Sequence, residues 1–307
     1  MKIVSYKINK ERSFGIMLSE SEILEVSKPL RIKSLSNFIK NFSLYRSKIE
    51  NLKADSINIK PVSDCNIIAS IPNPTSLRDG YAFRQHVQTS RENRGLDMIS
   101  EFDDFPVYYY SNHNSVKGPG VIKVDRRLSS MLDYELEIAA IIGKEGSNIS
   151  AENADDYIFG FTIMNDFSSR KVQMDEMKLN LGPAKGKDFA TSLGPYILTV
   201  DEISDKIIKT KKGNQYDINL KGFLNKKLIS CDNLKNMNWT FAQIIERIST
   251  GTYIYPGDVI GSGTCATGCL YELNSQPDTE EYWLQDGDFI EIRADELGTL
   301  KNSIKII

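Results

Sequence analysis

Residues 133–142 read DYELEIAAII, and residues 158–166 read IFGFTIMND. Each is a short apolar run with acidic residues at one end, which predicts two core strands. In a strand, Glu135 and Glu137 are two residues apart and lie on the same face. Two such carboxylates near a core repel each other, and a divalent cation between them would remove the conflict. An amphipathic strand with its polar end in solvent is an equally acceptable interpretation.

Similar short apolar runs recur along the chain and predict further strands. They lie at residues 2–8, 13–18, 22–26, 66–71, 106–110, 196–200, 218–224, 258–260 and 289–292. Apolar spacing or the absence of breakers predicts helices at residues 34–53, 76–94 and 239–248. Because the chain lacks a βαβ rhythm, we expect a β-rich α+β fold. A polar stretch with a proline predicts a boundary near residue 62, between a small N-terminal α+β domain (1–62) and a larger domain (63–307).

Composition excludes several classes of function. The 307 residues carry 38 Lys and Arg against 41 Asp and Glu, a net charge of −3. That balance predicts no binding to nucleic acid or to an anionic membrane. His86 and His113 are the only histidines, so a zinc site with three histidines is excluded. A metal site must therefore depend on carboxylates, which favour Mg²⁺, Ca²⁺ or Mn²⁺.

The four cysteines indicate the compartment. Cys265 and Cys269 form a CxxxC pair, but Cys65 and Cys231 do not supply the second close pair of a zinc ribbon. Sparse cysteines in a chain of this length are typical of reduced thiols in the cytosol. The charged N-terminus resembles no signal peptide, and no stretch approaches the roughly 20 apolar residues of a membrane helix. We expect a cytoplasmic protein.

Asp166 follows a predicted core strand, where sites often form. As the N-cap of a helix over residues 167–178, it would have a purely structural role. On such a helix, Asp166, Arg170 and Gln173 would share a face and could converge on one anionic ligand.

Residues 78–86 read RDGYAFRQH. In the predicted helix, Asp79 and His86 are about two turns apart and point the same way. A carboxylate and a histidine on one face could serve as a metal ligand and a general base. A packed or surface histidine is the alternative.

Two further segments could bind an oxyanion. Glycines at 261, 263 and 268 allow a ligand to approach the backbone of residues 257–272, although tight turns without a ligand would also need them. Lys187, in GKDFAT, could hold an oxyanion or an enolate, or it could be a solvated charge.

Taken in order, these segments resemble the fumarylacetoacetate hydrolase family. The resemblance rests on RDGYAFRQH (78–86), FPVYYYSN (105–112), DYELE (133–137), GFTIMNDFSSR (160–170), GKDFATSLGP (186–195), NMNWTFAQ (236–243) and YPGDVIGSGT (255–264). It covers about residues 65–300 and is closer to the fumarylacetoacetase branch than to the short acylpyruvases, because Thr89 stands where those enzymes carry the acid of an HxxE segment.

The resemblance implies a rolled β-sheet catalytic domain behind a small N-terminal domain, and commonly a homodimer. By motif position, it assigns a divalent metal to Asp79, Glu135, Glu137 and Asp166, with Lys187 and Thr191 completing the metal environment. His86 matches the general base, and Glu272 matches the acid that orients it. Substrate-contacting positions fall on Tyr81, Tyr109, Arg170, Gln173 and Thr264.

The implied chemistry is hydrolysis of a C–C bond in a β-diketone acid, such as fumarylacetoacetate or an acylpyruvate. A metal would polarise the substrate oxygens, His86 would activate water, and Arg170, Gln173 and Lys187 would stabilise the developing charges. A decarboxylase, a hydratase or an oxaloacetate tautomerase could use the same scaffold. The pair of His86 and Glu272 favours hydrolysis, because decarboxylation needs no activated water. A non-catalytic scaffold would lack a ligand or the base.

Overall fold

The computed structural model describes residues 1–53, 56–275 and 280–307. The strands of its first part are β1 (Lys2–Ile8), β2 (Glu11–Met17), β3 (Glu22–Glu25), β4 (Ile59–Pro61), β5 (Asn66–Ile67), β6 (Leu77–Gly80), β7 (Tyr108–Tyr110), β8 (Val116–Lys117), β9 (Gly120–Val124) and β10 (Leu132–Asp133). The strands that follow are β11 (Leu136–Ile142), β12 (Gly146–Ser147), β13 (Ile158–Asp166), β14 (Ser168–Ser169), β15 (Thr191–Thr199), β16 (Ile207–Thr210), β17 (Gly213–Tyr216), β18 (Asn219–Leu224), β19 (Lys227–Asn233), β20 (Tyr253–Ile254), β21 (Val259–Gly261), β22 (Phe289–Ala294) and β23 (Gly298–Ile306). The α-helices are α1 (Leu35–Lys40), α2 (Phe42–Lys53), α3 (Arg84–Glu92), α4 (Ala151–Ala154), α5 (Arg170–Met177), α6 (Phe241–Ser249) and α7 (Leu270–Leu273).

Two sheets dominate the architecture. The larger has the order β4-β3-β2-β1-β15-β13-β11-β21-β6-β7, with β5 beside β1 and β8 beside β15. The second has the order β19-β18-β22-β23-β9. Most pairings are antiparallel, and the parallel ones include β21 with β6. The β-rich α+β prediction is therefore confirmed.

Strand β11 lies at the centre of the larger sheet because it is apolar on both faces. Its alternate residues Leu136, Ile138, Ala140 and Ile142 enter the larger core cluster. Ala139 and Ile141 face the smaller cluster. Since side chains alternate along a strand, Glu137 and the preceding Glu135 point to this second face. The segment 133–142, whose apolar residues form this central strand, therefore also places two carboxylates in the interior.

Two helix predictions were wrong in part. Residues 77–80 are strand β6, paired in parallel with β21, and helix α3 begins only at Arg84. Asp79 and His86 therefore do not share a helix, because Leu77 is drawn into the core as part of the sheet. Asp166 is the last residue of β13 and caps no helix, since α5 begins at Arg170 after Ser169.

The N-terminal unit is joined to the main sheet. Strand β1 pairs with β15 and with β5, so the strands on both sides of residue 62 share one sheet. Helices α1 and α2 lie within the predicted helical region, and their buried residues Phe38 and Ile49 belong to the smaller core cluster. The boundary at residue 62 stays a prediction. No helix in the described ranges has the length and apolar character needed to cross a membrane.

Substitution of Phe161, a residue of β13, would test the packing of the core on this strand. It is fully buried, and its ring lies 4.6 Å from that of Tyr216 and 5.4 Å from that of Phe241. We expect Phe161→Ala to lower the free energy of unfolding by about 3–5 kcal/mol, because it leaves a cavity. Leu179→Ala, at a side chain with 80% exposure, should change the free energy of unfolding by less than about 0.5 kcal/mol. Urea titration measures the free energy for both variants. Equal effects would contradict this packing.

Candidate active site

A cavity of about 560 Å³ opens between strands β6 and β11 and helices α3 and α5. Ten of the predicted site residues line it: Asp79, Tyr81, His86, Tyr109, Glu135, Glu137, Arg170, Gln173, Lys187 and Thr264. The other three, Asp166, Thr191 and Glu272, are buried directly behind this lining. The structure therefore brings together residues that are up to 193 positions apart in the sequence.

Three carboxylates form the base of the cavity. One oxygen each of Asp79, Glu135 and Glu137 lies within 4.8 Å of the others, and all three side chains are buried. The solvent-exposed interpretation of the DYELE segment is therefore wrong. Gly261 pairs with Asp79 across β21 and β6, and a Cβ there would lie 2.2 Å from Asp79 Oδ1. The glycine therefore leaves the space that the Asp79 carboxylate occupies.

The fourth predicted ligand, Asp166, is held by neighbouring donors. Lys187 Nζ lies 2.9 Å from Asp166 Oδ2 and also pairs with Glu135. Thr191, the residue opposite Asp166 across β13 and β15, donates a 3.1 Å hydrogen bond to Oδ1. The Tyr109 hydroxyl donates to Oδ2. Lys187 thus lies between two of the four carboxylates.

Burial and mutual repulsion shift the titration of these acids. Burial and the neighbouring Asp166 charge raise the pKa of Asp79 to about 7. Burial, with Asp79 and Glu135 nearby, raises the pKa of Glu137 well above its usual value. Burial also acts on Glu135, but Lys187 and Arg170 outweigh it and lower the pKa of that carboxyl. Glu135 is therefore the carboxylate that its neighbours compensate best.

The cluster fits a divalent cation. Glu137 Oε2 is buried and has no hydrogen-bond partner among the described residues, which is costly for a carboxylate oxygen. Lys187 pairs with Glu135 and Asp166, and Arg170 pairs with Glu135 and with Asp133. Within the described part of the chain, Asp79 and Glu137 have no ion pair. The group thus keeps excess negative charge that a hard cation with oxygen ligands would neutralise.

His86 and Glu272 form a buried pair at one side of the cavity. His86 Nδ1 donates a 2.7 Å hydrogen bond to Glu272 Oε2. Glu272 is fixed in turn by the Thr267 backbone N–H at 3.3 Å. The Tyr81 ring meets the imidazole edge to face at a centroid distance of 5.8 Å. With Nδ1 committed to Glu272, Nε2 is the imidazole nitrogen that can accept a proton.

The remaining predicted residues contact this framework. Arg170 Nη1 donates to the Gln173 side-chain oxygen at 3.1 Å, so these two share a helical face although Asp166 does not belong to it. Thr264 Oγ1 lies 3.4 Å from Glu137 Oε1, in the glycine-containing segment that follows β21. The Gly263 backbone N–H donates to Asp79 Oδ1 at 3.1 Å.

Asp133 is a site residue that the sequence patterns did not predict. This fully buried carboxylate accepts hydrogen bonds from Arg170 Nε at 2.8 Å and from the backbone N–H groups of Leu270 at 2.7 Å and Tyr271 at 3.1 Å. It thereby ties the arginine to the helix that carries Glu272. The signal was present, because Asp133 is the first acidic residue of the DYELE motif.

The outer wall of the cavity was also not predicted from the sequence. It combines apolar side chains with two arginines that follow His86 on or just beyond helix α3, Arg91 and Arg94. Within the described part of the chain, neither arginine forms an ion pair, while each donates through Nε to a backbone carbonyl. Arg91 and Arg94 follow His86 by five and eight residues, and this closeness in sequence was the signal that could have indicated them.

Asp133→Asn should destabilise the protein by about 3 kcal/mol, because it leaves the buried Arg170 short of a counter-charge. Urea unfolding measures the change. Asp156→Asn, on an exposed side chain, makes the same chemical change and should stay within about 0.5 kcal/mol of the wild type. If the two variants are equally stable, Asp133 does not have this role.

The raised pKa values predict how stability depends on pH without metal. Asp79 and Glu137 bind protons more tightly in the folded than in the unfolded protein. Their contribution to stability is therefore complete below the unfolded pKa of about 4 and is lost as pH rises through the folded values. We expect the Tm in EDTA to fall between about pH 5 and pH 8. Mn²⁺ should reverse the fall, and Glu137→Gln should reduce it; a rising Tm would contradict the assignment.

The chain is similar to known proteins over most of its length. Residues 75–305 match the fumarylacetoacetate (FAA) hydrolase C-terminal family. The oxaloacetate tautomerase YisK of Bacillus subtilis is 29% identical over 249 residues, which span 79% of this chain and 74% of that protein. The fumarylacetoacetase of Arabidopsis thaliana is 33% identical over 196 residues, 52% of this chain and 46% of that enzyme, so the match spans less than half of the plant protein.

A solved structure extends the comparison to the whole fold. The crystal structure of maleylpyruvate hydrolase from Sphingobium sp. SYK-6, in complex with manganese(II) and pyruvate, has a TM-score of 0.74 and 18% identity. The match covers 100% of this chain and 99% of the other. The expected fold type is thereby confirmed. With three quarters of its length inside the matched region, this chain belongs to the fumarylacetoacetate hydrolase family.

Proposed function

We propose that the protein is a divalent-metal-dependent hydrolase that cleaves a C–C bond in a β-diketone acid, such as an acylpyruvate or fumarylacetoacetate. One observation carries the proposal: the His86–Glu272 pair, joined at 2.7 Å, belongs to the same cavity as the acidic cluster. A cleavage that consumes water needs both a base for the water and an electrophile for the carbonyl.

Asp79, Glu135 and Glu137 would hold the cation, with Asp166 beside them. A bound Mg²⁺, Mn²⁺ or Ca²⁺ would polarise the keto or enol oxygen of the substrate. The all-oxygen donor set favours these hard cations over zinc. Lys187 and Thr191 keep Asp166 oriented toward the cluster.

His86 supplies the base. Nε2 takes a proton from water, and the Glu272 carboxylate stabilises the imidazolium that forms, following the logic of a catalytic triad. The water oxygen adds to the carbonyl carbon, the adjacent C–C bond breaks, and its electron pair leaves with the departing carbon as an enolate. His86 can then return the proton to that carbon.

Cationic and amide groups stabilise the developing charges. Arg170 and Lys187 line the cavity, and Gln173 accepts from Arg170 through its oxygen, which leaves its NH₂ group as a donor. Tyr81, Tyr109 and Thr264 line the cavity as substrate contacts. Arg91 and Arg94 at the outer wall favour a substrate with a second carboxylate.

A second candidate, oxaloacetate tautomerase, is favoured by one observation. The match to YisK spans 79% of this chain, against 52% for the plant fumarylacetoacetase. A His–Glu pair beside an electrophile can move a proton between carbon and oxygen without consuming water. Decarboxylation and hydration remain further alternatives on this scaffold. We further propose that the protein is a homodimer in the cytoplasm and that it binds neither nucleic acid nor membranes.

The substrate test separates these activities. Protein with Mg²⁺ or Mn²⁺ is given acylpyruvates, fumarylacetoacetate and enol-oxaloacetate in oxygen-18 water. Hydrolysis predicts loss of diketone absorbance and one labelled oxygen in the new carboxylate. Faster loss of the oxaloacetate enol without carbon loss would support the tautomerase, and CO₂ release would support a decarboxylase.

His86→Ala should lower kcat by about 10²–10⁴-fold, because no other group replaces the base. Calorimetric titration with Mn²⁺ should give an unchanged affinity, since His86 lies outside the carboxylate cluster. His113→Ala, at an exposed histidine, is the matched control and should retain wild-type turnover. Wild-type kcat in His86→Ala would exclude His86 as the base.

Glu137→Gln should abolish both Mn²⁺ binding and metal-dependent turnover, because the amide keeps the shape but removes the charge. The measurements are the same titration and assay. Glu152→Gln, at an exposed glutamate, is the control. Full turnover of EDTA-treated wild-type protein would contradict the metal requirement.

A further inference from the structure

Next to the proposed base, the cavity wall contains a second group of metal-binding atoms. One ligand atom each of His86, Cys269 and Glu272 lies within 4.8 Å of the others, and all three residues are buried. The Cys269 thiol lies 3.6 Å from Glu272 Oε2, the same oxygen that accepts from His86 Nδ1 at 2.7 Å. This group is separate from the carboxylates of the cavity base and includes a sulfur atom.

The donor types determine which cation fits. Imidazole, thiolate and a single carboxylate form a set typical of Zn²⁺, with bonds of about 2.0–2.3 Å. Tetrahedral bonds of that length separate the ligand atoms by roughly 3.3–3.7 Å. The 3.6 Å between Cys269 Sγ and Glu272 Oε2 lies in this range, whereas the 2.7 Å between His86 Nδ1 and Glu272 Oε2 is the length of a hydrogen bond, which must lengthen to admit a cation. Mg²⁺ prefers oxygen ligands, so it should bind the acidic cluster more tightly than this group of nitrogen, sulfur and oxygen donors.

We propose that His86, Cys269 and Glu272 form an inhibitory site for Zn²⁺ or a similarly thiophilic divalent cation, distinct from the site of the catalytic cation. On binding, the cation replaces the Cys269 S–H proton, which passes to solvent, while the His86 proton shifts through solvent from Nδ1 to Nε2. The Nδ1 lone pair, the thiolate and a Glu272 oxygen then bind the cation, and the protonated Nε2 can no longer act as a base. The cavity gives access, because His86 lines it. Glu272 can then no longer orient and charge-balance the imidazole.

The inhibitory effect rests on the proposed function, whereas binding does not. The cavity would thereby separate cations by chemical softness: a hard cation among Asp79, Glu135 and Glu137 supports turnover, and a softer one at the His–Cys–Glu group stops it. The Cys269 side chain has no access to solvent, and His86 is the member of the group that lines the cavity, so a cation from the cavity would enter past His86.

Binding is tested with Co²⁺ as a spectroscopic substitute for Zn²⁺, on the full chain saturated with Mg²⁺. We expect a thiolate-to-cobalt charge-transfer band, which carboxylate ligands do not give. Cys269→Ser and Cys269→Ala should abolish the band, and Zn²⁺ should displace Co²⁺ and remove it. Cys231→Ser, on an exposed thiol, and Cys265→Ser, on a buried thiol outside the group, should retain it. No band in the wild type, or a band that survives in both Cys269 variants, would overturn the site.

Inhibition is measured separately, as residual turnover at increasing Zn²⁺ with Mg²⁺ held saturating. The half-inhibitory Zn²⁺ concentration should rise by about tenfold or more in Cys269→Ser relative to its own zinc-free rate, and stay unchanged in Cys265→Ser. A cobalt band together with equal zinc sensitivity in both variants would overturn the inhibitory role. If no substrate is turned over, the proposed function fails while the cobalt band still decides whether the site exists.

Discussion

The compensation of four buried carboxylates is the constraint on which the rest of the structure depends. Asp79, Glu135, Glu137 and Asp166 have at most 4% exposure. Three of them lie in core strands, and Glu135 directly precedes β11. Like charges in such a place destabilise the fold unless cations and donors surround them. The positions of Lys187, the glycine at 261 and the donors around Asp166 all follow from this requirement.

The same constraint explains why the active-site candidates could be found in the sequence. A period of two placed Glu135 and Glu137 on one face, where the structure has them within one carboxylate group. The end of an apolar strand pointed to Asp166, which shares Lys187 with Glu135. The residue types of Asp79 and His86 pointed to chemistry, although the predicted helix begins only at Arg84 and leaves Asp79 in a strand. Both side chains still line the same cavity, because β6 carries one and α3 the other.

Other contacts of the site could not be predicted from local patterns, even where the residue itself lies in a recognised motif. Asp133 acts through backbone N–H groups more than 130 residues away, and no spacing rule connects such positions. Likewise, local patterns detect the strands of the N-terminal unit but not their pairing with β15. The partial helix error at residues 76–94 has the same origin: absence of proline does not make a helix when a buried Leu77 can pair with β21.

The parallel pairing of β6 with β21 has a consequence for the order of events during folding. Asp79 lies early in the chain and Gly261 late, and the His86–Glu272 hydrogen bond spans 186 residues. Contacts of such separation form slowly, because a long loop must close before they contribute any stability. During synthesis the cavity cannot exist until residues 259–272 have left the ribosome. Until then the DYELE segment lacks Thr264, which contacts Glu137, and the backbone N–H groups of residues 270 and 271, which bind Asp133.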